Sequence, residues 1–239
     1  MQMSTSPCAS LFRKQCLTLL GLTLLSAQAL AEPVCEVLAV SGEALLQTGE
    51  DGRALVLGER LEAGAELRTG AGGRVRLRFL DGSTLVMADR SRLRIEQFEQ
   101  SKGRPREASL LLLLGLIGQK VSSSAGGSWR VHTPTAVTAV RGTEFMVEVD
   151  DKLATLVHVQ SGVVAVEPAA PMDAASTAYS SKSAITGRGR AKGPAVMLKA
   201  RLNGTHCDGR GPCSPAKAVA SETILQLQQR LMGINAASQ

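Results

Sequence analysis

A run of alternating polar and apolar side chains constrains the fold more than any other feature of this sequence. The segments 144–149 and 155–159 place an apolar or β-branched side chain at every second position, which is the period of a strand with one buried face. Asp150-Asp151-Lys152 and Gln160-Ser161-Gly162 have the composition of turns and separate these segments from a third, 163–167. The pattern predicts a three-stranded meander and therefore an all-β nucleus.

The residues before this run extend it into a longer motif. Thr133-Pro134 opens an extended segment, because the residue before a proline is disfavoured in the helical region. Gly142 closes it, since glycine accepts a positive φ. The motif comprises Thr133, Pro134, Ala136, Ala139, Val140, Arg141, Gly142, Thr143, Phe145 and Val147, followed by Val159, Gly162, Val164 and Val166. In these positions the sequence resembles the FecR-type periplasmic domain family, with the hallmark T-P-x-A-x-x-A-V-R-G-T-x-F-x-V.

The resemblance covers roughly residues 37–167 and implies an all-β fold, with short antiparallel strands in a sandwich- or solenoid-like domain. It also implies that the matched motif residues are mainly architectural and that the domain binds protein partners. Regulators of this family carry a cytoplasmic anti-sigma domain ahead of one transmembrane helix and read the state of an outer-membrane iron-siderophore transporter. We carry over the fold and the interaction role, and leave sigma-factor regulation and iron sensing aside because of the first segment of this chain.

That first segment, residues 1–31, has the pattern of a cleavable signal peptide. Arg13-Lys14 supplies the positive charge, residues 16–25 form an apolar core, and Ala29-Leu30-Ala31 is a small-x-small cleavage site. The alternative is an uncleaved anchor, but a membrane span needs roughly 20 apolar residues. The sequence predicts export to the periplasm, a mature N-terminus at Glu32, no transmembrane segment in the mature chain and no room for a cytoplasmic domain.

The domain prediction divides the chain into three parts. Residues 1–31 are the signal peptide, 32–167 the FecR-type β domain, and 168–239 a low-complexity basic tail. Within the tail, 195–200 is predicted to add one strand, and 221–232 has apolar residues on one side of a helix followed by Gly233.

Six arginines alternate with apolar residues in two predicted strands, so that they share the outward side of each strand. They are Arg74, Arg76, Arg78, Arg90, Arg92 and Arg94. We interpret them as a candidate interaction surface for an acidic partner or polymer. The alternative is a solvated face whose charges keep the sheet soluble and block pairing of edge strands.

Three cysteines follow the signal peptide. Cys207 and Cys213 enclose two glycines and a proline, which lets the chain bend into a short disulfide loop, and export places them in an oxidising compartment. A metal site using His206 lacks a second pair of ligands at suitable spacing. The prediction is a Cys207–Cys213 bridge with Cys35 unpaired.

The sequence contains no recognisable catalytic arrangement. His132, His158 and His206 stand apart from any nucleophile motif. Carboxylates are not paired in apolar surroundings, and no glycine loop precedes a helix as a phosphate site requires. The sequence therefore predicts no enzyme activity, no cofactor, no metal and no nucleic-acid partner.

The predicted function is a non-enzymatic periplasmic protein-interaction module of the FecR type, in envelope signalling or assembly, pairing with its partner through an exposed strand edge. The alternative is an envelope-associated structural protein that binds peptidoglycan or another anionic polymer. In this alternative the polymer binds the six arginines and the basic segment 171–239. That segment holds nine Lys or Arg against three Asp or Glu. Salt dependence distinguishes the two, because polymer binding through scattered cations fades steeply with ionic strength.

Arg141 is the motif residue that best separates architecture from function. It follows an uncharged segment and precedes a glycine turn, so we expect its side chain to turn inward and bond either several backbone carbonyls or a carboxylate. Asp81, Asp89 and Glu144 are the candidate partners.

Overall fold

Strands account for most of the described chain. The computed structural model of the protein describes residues 32–48, 51–101, 104–123, 126–169, 193–199 and 203–233. The strands that precede and include the longest one are β1 (Pro33–Ser41), β2 (Ala44–Thr48), β3 (Asp51–Ala54), β4 (Arg60–Glu62), β5 (Glu66–Thr69), β6 (Arg74–Phe79), β7 (Thr84–Met87), β8 (Arg92–Glu99) and β9 (Glu107–Lys120). The later ones are β10 (Ser128–His132), β11 (Ala136–Val140), β12 (Glu144–Val149), β13 (Thr155–Ser161), β14 (Val163–Pro168), β15 (Val196–Lys199), β16 (Asn203–Cys207) and β17 (Lys217–Ala218), and helix α1 (Ser221–Met232) follows.

These strands form two hydrogen-bonded layers that share β9. Sheet A has the order β4-β1-β6-β7-β9-β12-β13-β16-β17. Sheet B has the order β3-β2-β5-β8-β9-β10-β11-β14-β15. In both layers the strands that precede β9 in the chain lie on one side of it, and those that follow lie on the other. The molecule is thus two half-sandwiches joined along β9, which we call the seam.

The seam changes sheets in its middle, at Gly115. Residues up to Leu114 pair with β8 in sheet B, and residues from Gly115 onward pair with β12 in sheet A. Gly115 has a φ of 89°, and a Cβ built there would lie 2.5 Å from Cα of Ser91. A positive φ and this close backbone approach both require glycine, so a single residue allows one strand to serve two sheets.

The core lies between the two sheets. In β6, Val75, Leu77 and Phe79 are buried while the arginines between them point outward. Phe79 of sheet A stacks on Phe98 of sheet B at a centroid distance of 5.4 Å and meets Trp129 of sheet B edge-on at 5.0 Å. Apolar side chains of both layers thus interdigitate in one core, which is the packing of a sandwich.

The predicted meander is wrong in its third strand. β12 and β13 form the expected antiparallel hairpin in sheet A, but after Gly162 (φ 91°) the chain crosses to sheet B. There β14 pairs with β11, because its alternating valines face the same core from the opposite layer. A second difference from expectation is that β9 and β10 pair in parallel.

Residues beyond 168 continue both sheets. β15, within the predicted 195–200 segment, pairs with β14, and β16, which the sequence analysis did not predict, pairs with β13. The described part of the tail therefore extends the β domain, and the proposed boundary at residue 167 stays a prediction. The predicted signal peptide lies outside the described residues.

Helix α1 has the predicted bounds and lies on the outer face of sheet A. It ends at Gly233, whose φ of 87° is left-handed and whose N–H donates to the carbonyl oxygen of Gln229 at 2.8 Å, as in a glycine C-cap. Ile224 and Leu227 are its buried residues, and they pack with Ala88, Leu116 and Met146 of the sheet.

The helix also connects the two halves of the sandwich. Arg230 pairs with Asp89, which precedes β9 in the chain, at 3.5 Å. It also pairs with Glu148 of β12, which follows β9. The prediction of an all-β fold with one C-terminal helix is confirmed. Among the residues described, none of the helical segments has the length and hydropathy needed to cross a lipid bilayer.

Candidate functional site

A groove of about 650 Å³ lies on the outer face of sheet A, beside the C-terminal end of α1. We call it the sheet A groove. Residues from six strands and the helix line it. Those used below are Ala39, Arg74, Arg76, Thr84, Val86, Gly118, Lys120, Glu144, Leu231 and Met232. It remains open because α1 covers the part of the sheet around Leu116 and Met146 and leaves the adjoining part bare.

Small side chains make the floor of the groove. Val86 of β7 and Gly118 of β9 are directly paired across their strands, and Ala39 of β1 lies opposite Arg76 of β6. Val86 occupies an outward strand position, since its neighbours Leu85 and Met87 on β7 point into the core and are fully buried. Gly118 and Ala39 also lie on the outer face, because residues directly opposite each other on paired strands share a face, and their partners are Val86 and the exposed Arg76. A Cβ at Gly118 would lie 2.7 Å from Cδ1 of Leu231, so this glycine also lets the helix approach the sheet.

Cations predominate around this floor. Arg74 donates from Nε to the carbonyl oxygen of Arg230 at 2.9 Å and so borders the helix end. Arg76 and Lys120 are exposed. Glu144 lies opposite Lys120 in the β9–β12 register and is the one carboxylate that lines the groove. Three cations and one anion give this part of the described surface a positive charge.

The six predicted arginines do not form one face, which corrects the interpretation of a continuous basic surface. Arg74, Arg76 and Arg78 project from the outer face of sheet A, whereas Arg92 and Arg94 of β8 project from the outer face of sheet B. Arg90 lies in the turn before β8 with a φ of 50°. The alternation is present in both strands, but their buried sides face each other across the core, so their outward sides point in opposite directions.

On sheet B the arginines are already paired. Arg92 and Arg94 both bond Glu66 of β5, which is 5 % exposed. Burial raises the pKa of the Glu66 carboxyl, but the hydrogen bonds from Arg94 and Arg92 outweigh it and leave that pKa below its usual value. On sheet A, Arg78 pairs with Glu36 at 3.0 Å, so Arg74 and Arg76 are the predicted arginines that line the groove.

Most of the family motif supports the backbone. Thr133 is buried, and its hydroxyl lies 2.7 Å from that of Thr155; Pro134 is also buried. Thr143 donates to the carbonyl oxygen of Val163 at 3.1 Å, and Phe145 is buried. Ala139 and Val140 lie at the end of β11, and Gly142 and Gly162 lie in turns. The other apolar motif residues are buried in strands, and these are Ala136, Val147, Val159, Val164 and Val166.

Arg141 does not turn inward, so that prediction is wrong. It is exposed in the turn between β11 and β12. The buried arginine is Arg106, just before β9, which pairs with Asp81 and donates to the carbonyl oxygen of Ser122 at 3.2 Å. Its Cζ lies 5.3 Å from the ring centroid of Trp129, within the range of a cation–π contact. Asp81 was among the predicted partners of Arg141, but it pairs with Arg106 instead.

The cysteines are arranged as the spacing predicts. Cys207 and Cys213 form a disulfide with a Cα–Cα distance of 4.3 Å, and Cys35 is free and buried. Burial raises the pKa of the Cys35 thiol to about 12, so the thiolate needed for disulfide exchange is suppressed at neutral pH.

No metal site assembles among the described histidines, cysteines and carboxylates. His158 is buried in β13, where desolvation lowers the pKa of its imidazole. His206 is exposed on β16, and His132 lies partly buried at the end of β10. The three histidines therefore occupy separate strands.

Sequence reasoning missed the groove, although it singled out two of its arginines. Lys120 and Glu144 come together only because β9 and β12 pair across a long stretch of chain, and the wall comes from the last helix. The one local signal was Gly118, because a glycine inside a strand often marks a close approach of another element.

Residues 65–165 match the family model described as FecR protein. This segment is similar to the FecR domain. The matched segment begins next to β5 and ends within β14, so it includes the seam and the strands beside it. The floor of the sheet A groove lies largely within the matched segment, while Ala39 and the helix wall lie outside it.

Two crystal structures of a candidate anti-sigma factor from Parabacteroides distasonis ATCC 8503 are similar to the chain. The structure at 1.65 Å has a TM-score of 0.47 and 17 % identity, and covers 69 % of this chain and 64 % of that one. The structure at 2.50 Å has a TM-score of 0.48 and 16 % identity, with the same coverage. The chain thus spans 64 % of the length of these solved chains. No curated protein sequence matches it at a significant level.

Proposed function

We propose that this protein is a non-enzymatic, periplasmic protein-interaction module of the FecR type that acts in envelope signalling or assembly. The observation that carries the proposal is the sheet A groove, since it leaves an open, partly apolar and positively charged surface on the FecR domain. Partly apolar surfaces with charged rims are typical of sites where proteins bind one another.

The assignment to the periplasm is supported by two features of the chain. The signal-peptide pattern of residues 1–31 predicts export. The Cys207–Cys213 disulfide is a bond that persists in oxidising compartments and is rare where glutathione keeps thiols reduced. N-terminal sequencing of the periplasmic fraction is expected to give a chain that begins at Glu32.

Crosslinking in living cells tests the interaction role. A photoreactive amino acid is placed at Arg76 or at Val86 in the groove and, as the matched control, at Arg68, which is exposed on the outer face of sheet B. Irradiation is expected to give a discrete protein adduct from the groove positions and none from position 68. The proposal fails if the groove positions give no protein adduct, or if they attach only to peptidoglycan.

Peptidoglycan or another anionic polymer remains the alternative partner, through the basic surfaces. The separation of the arginines onto two faces weakens it, because among the described residues a polymer strand along the sheet A groove would meet three cations, Arg74, Arg76 and Lys120. Binding of purified sacculi that falls steeply between low and physiological salt would favour the polymer.

A further inference from the structure

The outer face of sheet A already binds one helix of this chain. Ile224, Leu227 and Leu231 recur at helical spacing on α1, and the first two are buried against the sheet. This is the helix-in-groove mode, in which side chains at positions i, i+3 and i+7 enter an apolar surface. The sheet A groove is the continuation of that same face on the other side of the helix end.

The lining of the groove suits a second helix beside the first. Its floor is formed by Ala39, Val86 and Gly118, whose side chains are short or absent. Its wall is formed by Leu231 and by Met232, which is 65 % exposed. An apolar wall over a floor of small residues leaves room for the large side chains of an incoming segment.

The charges of the groove determine what that segment carries. Arg76 and Lys120 are exposed, and neither forms an ion pair with another described residue. Glu144 offsets one positive charge of the three that line the groove. Carboxylates on a partner would meet two free cations, and complementary charges across an interface raise both specificity and the rate of association.

We propose that the sheet A groove binds an acidic amphipathic helix of a partner protein. The helix lies beside α1, directs its apolar side chains toward Val86 and Met232, and directs its carboxylates toward Arg76 and Lys120. This inference rests on the proposed interaction function and names the kind of partner segment that the groove accepts.

The probe for this proposal is a fluorescent helical peptide of about 15 residues, with glutamates on one face and leucines on the other. A charge-reversed peptide carries lysines in place of the glutamates. Fluorescence anisotropy measures the binding of each peptide to the exported full chain. The acidic peptide is expected to bind the unmodified protein more tightly than the basic peptide.

Charge reversal of the groove provides the decisive comparison. Arg76→Glu with Lys120→Glu is expected to weaken binding of the acidic peptide at least about tenfold and to strengthen binding of the basic peptide. The matched control is Arg68→Glu with Arg130→Glu, which makes the same change in net charge at exposed positions of β5 and β10 on sheet B and should preserve preference for the acidic peptide. The proposal is overturned if the acidic peptide does not bind, or if both double variants weaken it equally.

The proposed apolar contact between the partner helix and Met232 has a separate test. Met232→Ser changes an exposed side chain, so the fold should persist, and it should weaken binding of the acidic peptide while leaving polyglutamate binding unchanged. Equal binding of polyglutamate and the peptide, with no effect of Met232→Ser, would assign the groove to a polyanion and overturn the helix proposal. A failed peptide assay together with a discrete crosslinked protein from Arg76 would reject the acidic helix and leave the interaction module standing.

Discussion

Arg106 and Arg141 have opposite environments, although both are arginines beside glycine-containing loops. Arg106 is fully buried with Asp81, and its Nε and Nη2 atoms find no hydrogen-bond partner among the described groups. Arg141 is exposed. The sequence could not distinguish them, because what buries Arg106 is Trp129 from β10 and the β6–β7 turn, and both contacts depend on tertiary folding.

This contrast gives a prediction with a built-in control. Arg106→Ala leaves the Asp81 carboxylate buried without its cation and should lower the free energy of unfolding by about 3–5 kcal/mol. Arg141→Ala should change it by no more than about 0.5 kcal/mol. Guanidinium denaturation of both variants measures the difference. Equal losses would show that Arg141 has a structural contact after all.

His158 should make stability depend on pH in mildly acidic solution. Its folded pKa is lowered by burial, so the unfolded chain binds more protons as pH falls through the unfolded value of about 6.5. The stabilisation by neutral His158 is present above about pH 6.5 and is lost as pH falls through the lower folded pKa. The Glu66 contribution has the same sign but begins only near the unfolded pKa of a glutamate, about 4.3.

The corresponding experiment compares the unmodified protein with His158→Gln in urea at about pH 7.5 and about pH 5.5. The unmodified protein should lose more stability than the variant between these two values. A parallel loss in both proteins would assign the pH dependence to other groups.

At the scale of elements, α1 is attached through few side chains. Leu227 is buried against sheet A, whereas Leu225 is 52 % exposed on the same helix. Leu227→Ala should lower the free energy of unfolding by an amount near the lower end of about 2–5 kcal/mol, because a surface helix can partly close the cavity. Leu225→Ala should cost no more than about 0.5 kcal/mol. Similar costs would mean that the helix does not dock as described.

Elements with a local signature could be predicted from the sequence, but their partners could not. The alternation in β6 and β12 and the apolar stripe of α1 are set by neighbouring residues, so these elements could be predicted. The pairing of β14 with β11 instead of β13 depends on which layer has a free edge. The sheet A groove was missed for the same reason, since Ala39, Lys120 and Met232 are far apart in the chain.

At the scale of the molecule, the change of sheet at Gly115 is the feature on which both layers depend. Gly115→Ala combines a left-handed backbone with overlap against Ser91 and should cost about 2–5 kcal/mol. Gly64→Ala is the control, because Gly64 also has a positive φ, 94°, but nothing lies within 4 Å of its added Cβ. That change should cost only about 1–2 kcal/mol. Thermal denaturation compares them, and a milder effect at Gly115 would mean that the seam tolerates a side chain at its bend.

The seam also determines how the molecule would respond to mechanical force. β9 is central in both sheets, so separating one half-sandwich from the other breaks hydrogen bonds between strands in each sheet. It also breaks an ion pair of Arg230, because Arg230 pairs with Asp89 of one half and Glu148 of the other on the outer face of sheet A. A force that separates the two halves therefore has to break hydrogen bonds on both parts of β9, before and after Gly115, and not in one sheet alone.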